Sequence, residues 1–283
     1  MTVLNLYSQA EAALLESNPR RKCELTFALA AQWQQSCLSP EDEAESLEHT
    51  IKAATILALD TPGQPVLPKL VNPRNLKRRS MSSEAGRIGF LHAFAHIEFN
   101  AINIALDAVY RFRQMPVQYV SDWLLVASEE AKHFLLLDDC LAERGSFYGE
   151  HDAHRGLWDM VCKTRHDVLH RMALVPRVME ARGLDVTPAL ITKFSQAGDS
   201  RAVEILEIIY RDEIGHVRIG SFWYQTLCEE RKLNPTDTFG DLIDLYMDGK
   251  LRGPFNWPAR LEAGFDAREL KSLEQKELNL GKA

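Results

Sequence analysis

Between residues 98 and 216 the chain uses one pattern twice. A glutamate stands alone in an apolar run, and about thirty residues later comes a Glu-x-x-His. Glu98 lies in Phe90-Leu-His-Ala-Phe-Ala-His-Ile-Glu98-Phe-Asn-Ala-Ile and is followed by Glu130 and His133 in Ser128-Glu-Glu-Ala-Lys-His133. Glu180 lies in Val178-Met-Glu180-Ala-Arg-Gly and is followed by Glu213 and His216 in Arg211-Asp-Glu-Ile-Gly-His216. The two separations are 32 and 33 residues. Roughly 0.7 Glu-x-x-His matches are expected by chance in a chain of this composition, so one would carry no information. Two of them, each led by a glutamate at nearly the same distance, limit the folds open to the chain. If all these segments are helical, each pair of marked positions comes level only when the chain folds back midway between them.

Positions i and i+3 share one face of an α-helix, so Glu130 with His133, and Glu213 with His216, each aim an oxygen and a nitrogen ligand in one direction. The faces are apolar. Leu91, Phe94, Ala95 and Ile102 accompany Glu98; Trp123, Val126, Phe134 and Leu137 accompany Glu130 and His133; Leu206, Ile209 and Trp223 accompany Glu213 and His216. A carboxylate on such a face is costly unless something pairs with it, and a metal ion does so. In a four-helix bundle, one Glu from each of two helices plus Glu-x-x-His from each of the other two builds a dinuclear carboxylate site. Carboxylate and imidazole donors suit iron or manganese. The five cysteines are scattered without a C-x-x-C, which argues against zinc–thiolate, iron–sulfur and rubredoxin-type centres.

The order and spacing of Glu98, Glu130, His133, Glu180, Glu213 and His216 resemble those of ferritin-like di-iron carboxylate proteins. The stretches His96-Ile-Glu98, Glu180-Ala-Arg-Gly-Leu-Asp-Val-Thr-Pro188, Asp212-Glu-Ile-Gly-His216 and Gly253-Pro-Phe-Asn256 resemble a bacterial group of uncharacterised ferritin-like proteins, distantly similar to MiaE-type tRNA hydroxylases. The resemblance spans about residues 70 to 265. It implies an all-α, ferritin-like four-helix bundle and a centre of two iron ions, with manganese as the alternative, and it leaves the substrate open. The expected chemistry is activation of O2 to oxidise or hydroxylate an organic substrate. Glu130 and Glu213 would bridge or chelate, and each histidine would bind one iron. A ferroxidase or peroxide-consuming metal-handling protein is the first alternative, and a non-enzymatic metal-binding bundle the second. Neither the electron donor nor the assembly state follows from the sequence, and a homodimer stays open.

A net charge of −7 offers no footprint for a polyanion, so nucleic acid is not the expected partner despite the MiaE-type likeness. The first residues lack a basic region followed by an apolar run, and no stretch approaches 18 uninterrupted apolar residues. The expectation is a cytoplasmic protein that does not cross a membrane. Glycine and proline punctuation divides the 283 residues into three segments. Residues 1–80 hold two helices (about 4–17 and 20–36), an acidic solvated stretch (38–49), an extended proline-rich strap from Asp60 to Pro73, and a short basic run, Asn75 to Arg79. Residues 81–232 form the bundle. Its helices are predicted from Ser82 or Glu84 to about Arg113, from about Pro116 to Arg144, from about 155 to 182, and from about 199 to 231. Residues 233–283 form a cover, with a helix from Thr238 to Met247, an aromatic loop from Gly249 to Pro258 and a frayed tail from Glu269.

One point strains this scheme. Glu180 lies three residues before Gly183, so a turn at that glycine would leave the ligands at different heights. The spacing therefore predicts a break at Gly183–Thr187, continuation from Pro188 to Ala197, and the turn near Ala197–Asp199. Pro176 is expected to kink the third helix. His92 and His96 are candidates to hydrogen-bond a ligand carboxylate. His166 and His170 are read as surface residues or supports, and Glu207 as a weak alternative ligand.

Overall fold

The computed structural model describes residues 3–37, 56, 59–77, 80–247 and 251–280. The acidic stretch at 38–49, Arg78 and Arg79 of the basic run, the first two residues of the aromatic loop and the final three residues lie outside the described residues. Among the described residues the regular secondary structure is helical, the single β feature being an isolated parallel bridge between Leu70 and Ala153. It divides into two compact units, Met1–Cys162 and Lys163–Ala283.

In the first unit, α1 (Val3–Leu15) and α2 (Pro19–Cys37) pack against a long hairpin of α3 (Glu84–Arg111) and α4 (Val117–Ala142). Ser83 caps α3 by accepting the Gly86 N–H, as the Ser-Ser-Glu start predicts. The chain reverses through residues 112–116, between Glu98 and Glu130, and Gly145 stops the second arm with φ +69°. Lys22 is fully buried. Its ammonium donates to the Ala13 and Leu14 carbonyls at 2.9 and 2.8 Å and to Asn103 Oδ1 at 2.7 Å, closing the C-terminus of α1 and tying α1 and α2 to α3. Burial lowers its pKa to about 7. The proline-rich strap is extended. Gly63 donates its N–H to the Leu14 carbonyl, and a side chain there would collide with the Leu15 carbonyl oxygen at 2.2 Å. Farther along, Lys69 and Val71 exchange backbone hydrogen bonds with Ala153. The short helix α5 (Gly156–Lys163) ends this unit, with Trp158 Nε1 donating to the Asp60 carbonyl.

In the second unit, α6 (Val168–Leu174) continues through a π-helical stretch, Val175–Glu180, into α7 (Ala181–Gln196). The helix predicted from about 155 to 182 does begin at Gly156, as α5, but it is interrupted after Lys163 and restarts behind the Asp167 cap. The predicted break at Gly183–Thr187 is absent. Gly183 and Pro188 both lie inside α7. Proline has no N–H for the carbonyl four residues back, but that carbonyl, Leu184's, receives the Asn256 side-chain amide instead at 3.0 Å. The irregularity lies upstream, at Pro176, and takes the form of wider turns. The reversal falls at Gly198, with φ +72°, and Asp199 caps α8 (Ser200–Glu230) by accepting the Ala202 N–H.

After α9 (Pro235–Met247) and α10 (Trp257–Glu262) comes α11 (Ala267–Leu280), where a frayed tail was expected. Leu270 and Leu273 are buried one turn apart on one face, and Glu269 is buried against Arg177. Glu269, where the frayed tail was expected to begin, is an internal partner. The aromatic loop and α10 lie against α7 through Asn256, Asp185 and Arg260.

Candidate metal centre

Within the first unit the hairpin brings Glu98 of α3 together with Glu130 and His133 of α4. All three are buried, Glu98 being 2 % exposed. His133 Nδ1 lies 3.4 Å from Glu98 Oε2 and 3.4 Å from Glu130 Oε2. One ligand atom from each residue lies within 4.8 Å of the others. Burial, then the Glu130 carboxylate, pushes the Glu98 carboxyl up to about 8, so without a cation one acid of the pair keeps its proton at neutral pH. Two carboxylates and an imidazole converging in a dry interior are a donor set that a divalent cation fits, and a cation removes the repulsion between the acids. This group could hold a metal ion.

Its surroundings exclude water. Phe99 and Phe134, each adjacent in sequence to a ligand, lie 5.7 Å apart between ring centroids, and Trp123 is fully buried on α4. Tyr148, from the loop after α4, packs 5.6 Å from Phe99 and 5.1 Å from Phe134. Sequence reasoning missed it, since Gly145-Ser-Phe-Tyr148-Gly reads as an ordinary loop. His96 commits both ring nitrogens to this loop. Nε2 lies 2.9 Å from the His154 carbonyl and must be the protonated nitrogen, so Nδ1 accepts the Tyr148 O–H at 2.9 Å. His96 therefore does not hold a ligand carboxylate. His92 Nε2 accepts the Gly149 N–H at 2.9 Å, again bonding the loop. A groove of about 540 Å³ opens beside Phe90, Ala93 and His151. Ala93 precedes Glu98 by five residues, about 7.5 Å along the helix axis and about 140° around it, so the exposed Ala93 and the buried Glu98 lie on different faces of α3.

Within the second unit, Glu213 and His216 share a face of α8, with His216 Nδ1 3.9 Å from Glu213 Oε1, and both are buried. Glu180 is buried at the end of the π-helical stretch. His166 and His170 both lie within hydrogen-bonding distance of the Tyr246 hydroxyl. Glu207 is exposed on α8. The cysteines Cys23, Cys140, Cys162 and Cys228 are free thiols.

The class defined so far is an all-helical protein with a buried carboxylate–histidine group that could bind a metal ion. Residues 15–271 match the family described as "Protein of unknown function (DUF455)", and the chain belongs to that family. A protein of Haemophilus influenzae (strain ATCC 51907 / DSM 11121 / KW20 / Rd), described as "Uncharacterized protein", is 42 % identical over 288 residues, covering 98 % of this chain and 96 % of its own. No solved structure matches the chain. No helix among the described residues is long and apolar enough to cross a membrane.

Proposed function

We propose that the protein is a ferritin-like di-metal carboxylate oxidoreductase, with iron as the metal, that uses O2 to oxidise a small organic substrate. The observation that carries this reading is the buried convergence of Glu98, Glu130 and His133 within 4.8 Å. The repeated spacing in the sequence supplies the rest: Glu180, Glu213 and His216 complete a six-ligand set, as in the dinuclear sites of four-helix bundles. When bound, two iron ions supply the reduction of O2 and the oxidation of the substrate.

The protein's own contribution is binding, water exclusion and proton handling. Glu98, kept protonated by burial first and by the Glu130 carboxylate second, would lose that proton to a bound cation, whose charge offsets both. Phe99, Phe134 and Trp123 keep the centre dry. Tyr148 and His96 fix the loop that closes over this face of the hairpin. The net charge of −7 disfavours a polyanionic substrate.

Metal analysis of the full chain purified from iron-supplemented cells is the test. Near two iron ions per chain, with O2 uptake on adding iron(II) and a further increase with a cell metabolite extract, is the expected result. Iron-independent O2 uptake, or absence of stoichiometric metal, would overturn the reading. Uptake that metabolites never stimulate would shift it to metal handling.

A further inference from the structure

The C-terminal segment contains two buried ion pairs that the centre itself does not require, and both fasten the helical stretch that carries Glu180. We infer that Arg177 and Glu269 are positioning residues for Glu180. They hold the wide-turned stretch Val175–Glu180 in the register that presents this carboxylate as a ligand. The inference rests on the proposed role of Glu180 in metal binding.

Wide-turned helix is rare, and it persists only where its surroundings fix it. Return of 175–180 to ordinary α geometry would rotate Glu180 around the axis relative to α6. Three contacts oppose that return. First, Pro176 sits where α8 has no side chain, since a Cβ on Gly220 would lie 2.3 Å from the proline ring. Second, Arg177, three residues before Glu180, is fully buried. Its Nη2 donates to Glu269 Oε2 at 2.7 Å and its Nε to Ser221 Oγ at 3.3 Å. The rings of Tyr224, Phe239 and Phe265 surround the guanidinium, with centroids 4.5, 4.3 and 4.4 Å away. Third, Arg260 binds Asp185, five residues after Glu180, through both carboxylate oxygens at 2.9 and 2.8 Å, and also reaches the Ala181 carbonyl at 3.4 Å. The backbone is thus clamped on both sides of Glu180.

A buried ion pair is a poor source of stability compared with an apolar pair of the same volume, whereas its directional bonds fix one arrangement. The bonds from Nε and Nη2 of Arg177 to Ser221 and Glu269 point the guanidinium in one direction, and that direction sets the rotation of the stretch. Glu269 Oε2 also accepts the Asp266 N–H at 2.8 Å at the start of α11, so the partner is itself held rigidly. The C-terminal cover is a clamp on a ligand-bearing helix.

The test uses full-length protein stripped of metal, titrated with Co(II) and followed by visible absorption and calorimetry. The variants are Glu269→Gln and the double variant Arg177→Met with Glu269→Leu. The second removes both charges and stays folded if the first does not. Leu6→Ala, in the core of the first unit, serves as a control of lowered stability. The wild type and Leu6→Ala are expected to bind two Co(II) per chain with identical spectra. The brace variants are expected to bind one ion normally and the other about tenfold more weakly, with an altered spectrum. Amide exchange in the metal-free variants should quicken at 175–181. Brace variants that keep both ions at unchanged affinity and spectrum would overturn the inference and leave the metal reading standing. A wild-type chain that takes up no Co(II) would overturn the metal reading, and the inference with it.

Discussion

Asn256 donates its side-chain amide to the Leu184 carbonyl at 3.0 Å, the carbonyl that Pro188 has no N–H to serve. One residue of the C-terminal loop thereby allows α7 to run through a proline. The same amide reaches Tyr210 Oη at 3.0 Å, while the Asn256 backbone N–H goes to Asp185.

Asn256→Ala should therefore destabilise the protein by about 2 kcal/mol, the cost of leaving a buried carbonyl unserved. Pro188→Ala should recover part of that loss in the Asn256→Ala background, by restoring the helical donor, and recover less in the wild type. Urea denaturation of the four proteins gives the coupling directly.

Removing a first-unit ligand should abolish stoichiometric metal binding with little effect on the metal-free fold. Glu130→Ala and His133→Ala are expected to melt close to wild type without metal, and to lose the rise of about 5 °C that saturating metal gives the wild type. Thermal scans with and without metal separate the two effects.

The acid pair sets a pH dependence. The Glu98 carboxyl titrates near 4.5 when unfolded and is pushed up to about 8 in the metal-free fold. Between these values the folded state binds the extra proton, so metal-free stability falls as pH rises from about 4.5 to about 8 and levels off above. Glu98→Gln should flatten this part of the profile. Denaturation midpoints measured across that range would check the sign.

Gly220 lies where a Cβ would meet the ring of Pro176 at 2.3 Å. Gly220→Ala should cost about 2 kcal/mol, the usual penalty for overpacking. Pro176→Ala should relieve most of it. If the two single costs simply add in the double variant, the contact is not the cause.

Lys22 closes α1 from within. Lys22→Met keeps the apolar stem and leaves three acceptors without their donor, so a loss of about 3 kcal/mol is expected. The unfolding midpoint in urea measures it.

The long helices were legible in the sequence because their signals are local. Ser83, Gly145 and Asp199 mark helix ends by side-chain or backbone geometry that each residue type favours. The grouping of Glu98 with Glu130 and His133 was legible because a hairpin converts a fixed spacing into equal height. What escaped depended on partners distant along the chain. Gly183–Thr187 read as a break before Pro188 because nothing near that proline announces Asn256. Glu269 read as the start of a frayed tail because its partner Arg177 lies 92 residues away. Arg177 itself was a visible anomaly, a cation in the run Leu174-Val-Pro-Arg177-Val-Met, and asking what could neutralise it would have called for a distant acid. Tyr148 left no such mark.

The wide turns between Val175 and Glu180 also affect how this chain should be compared with others. Such a stretch absorbs residues into a helix without lengthening it in proportion. Superposing the helix on a regular one, residue for residue, puts everything after position 180 on the wrong side of the rod. Searches keyed to an unbroken helical period will pass over Glu180, and templates for this family should allow an insertion there.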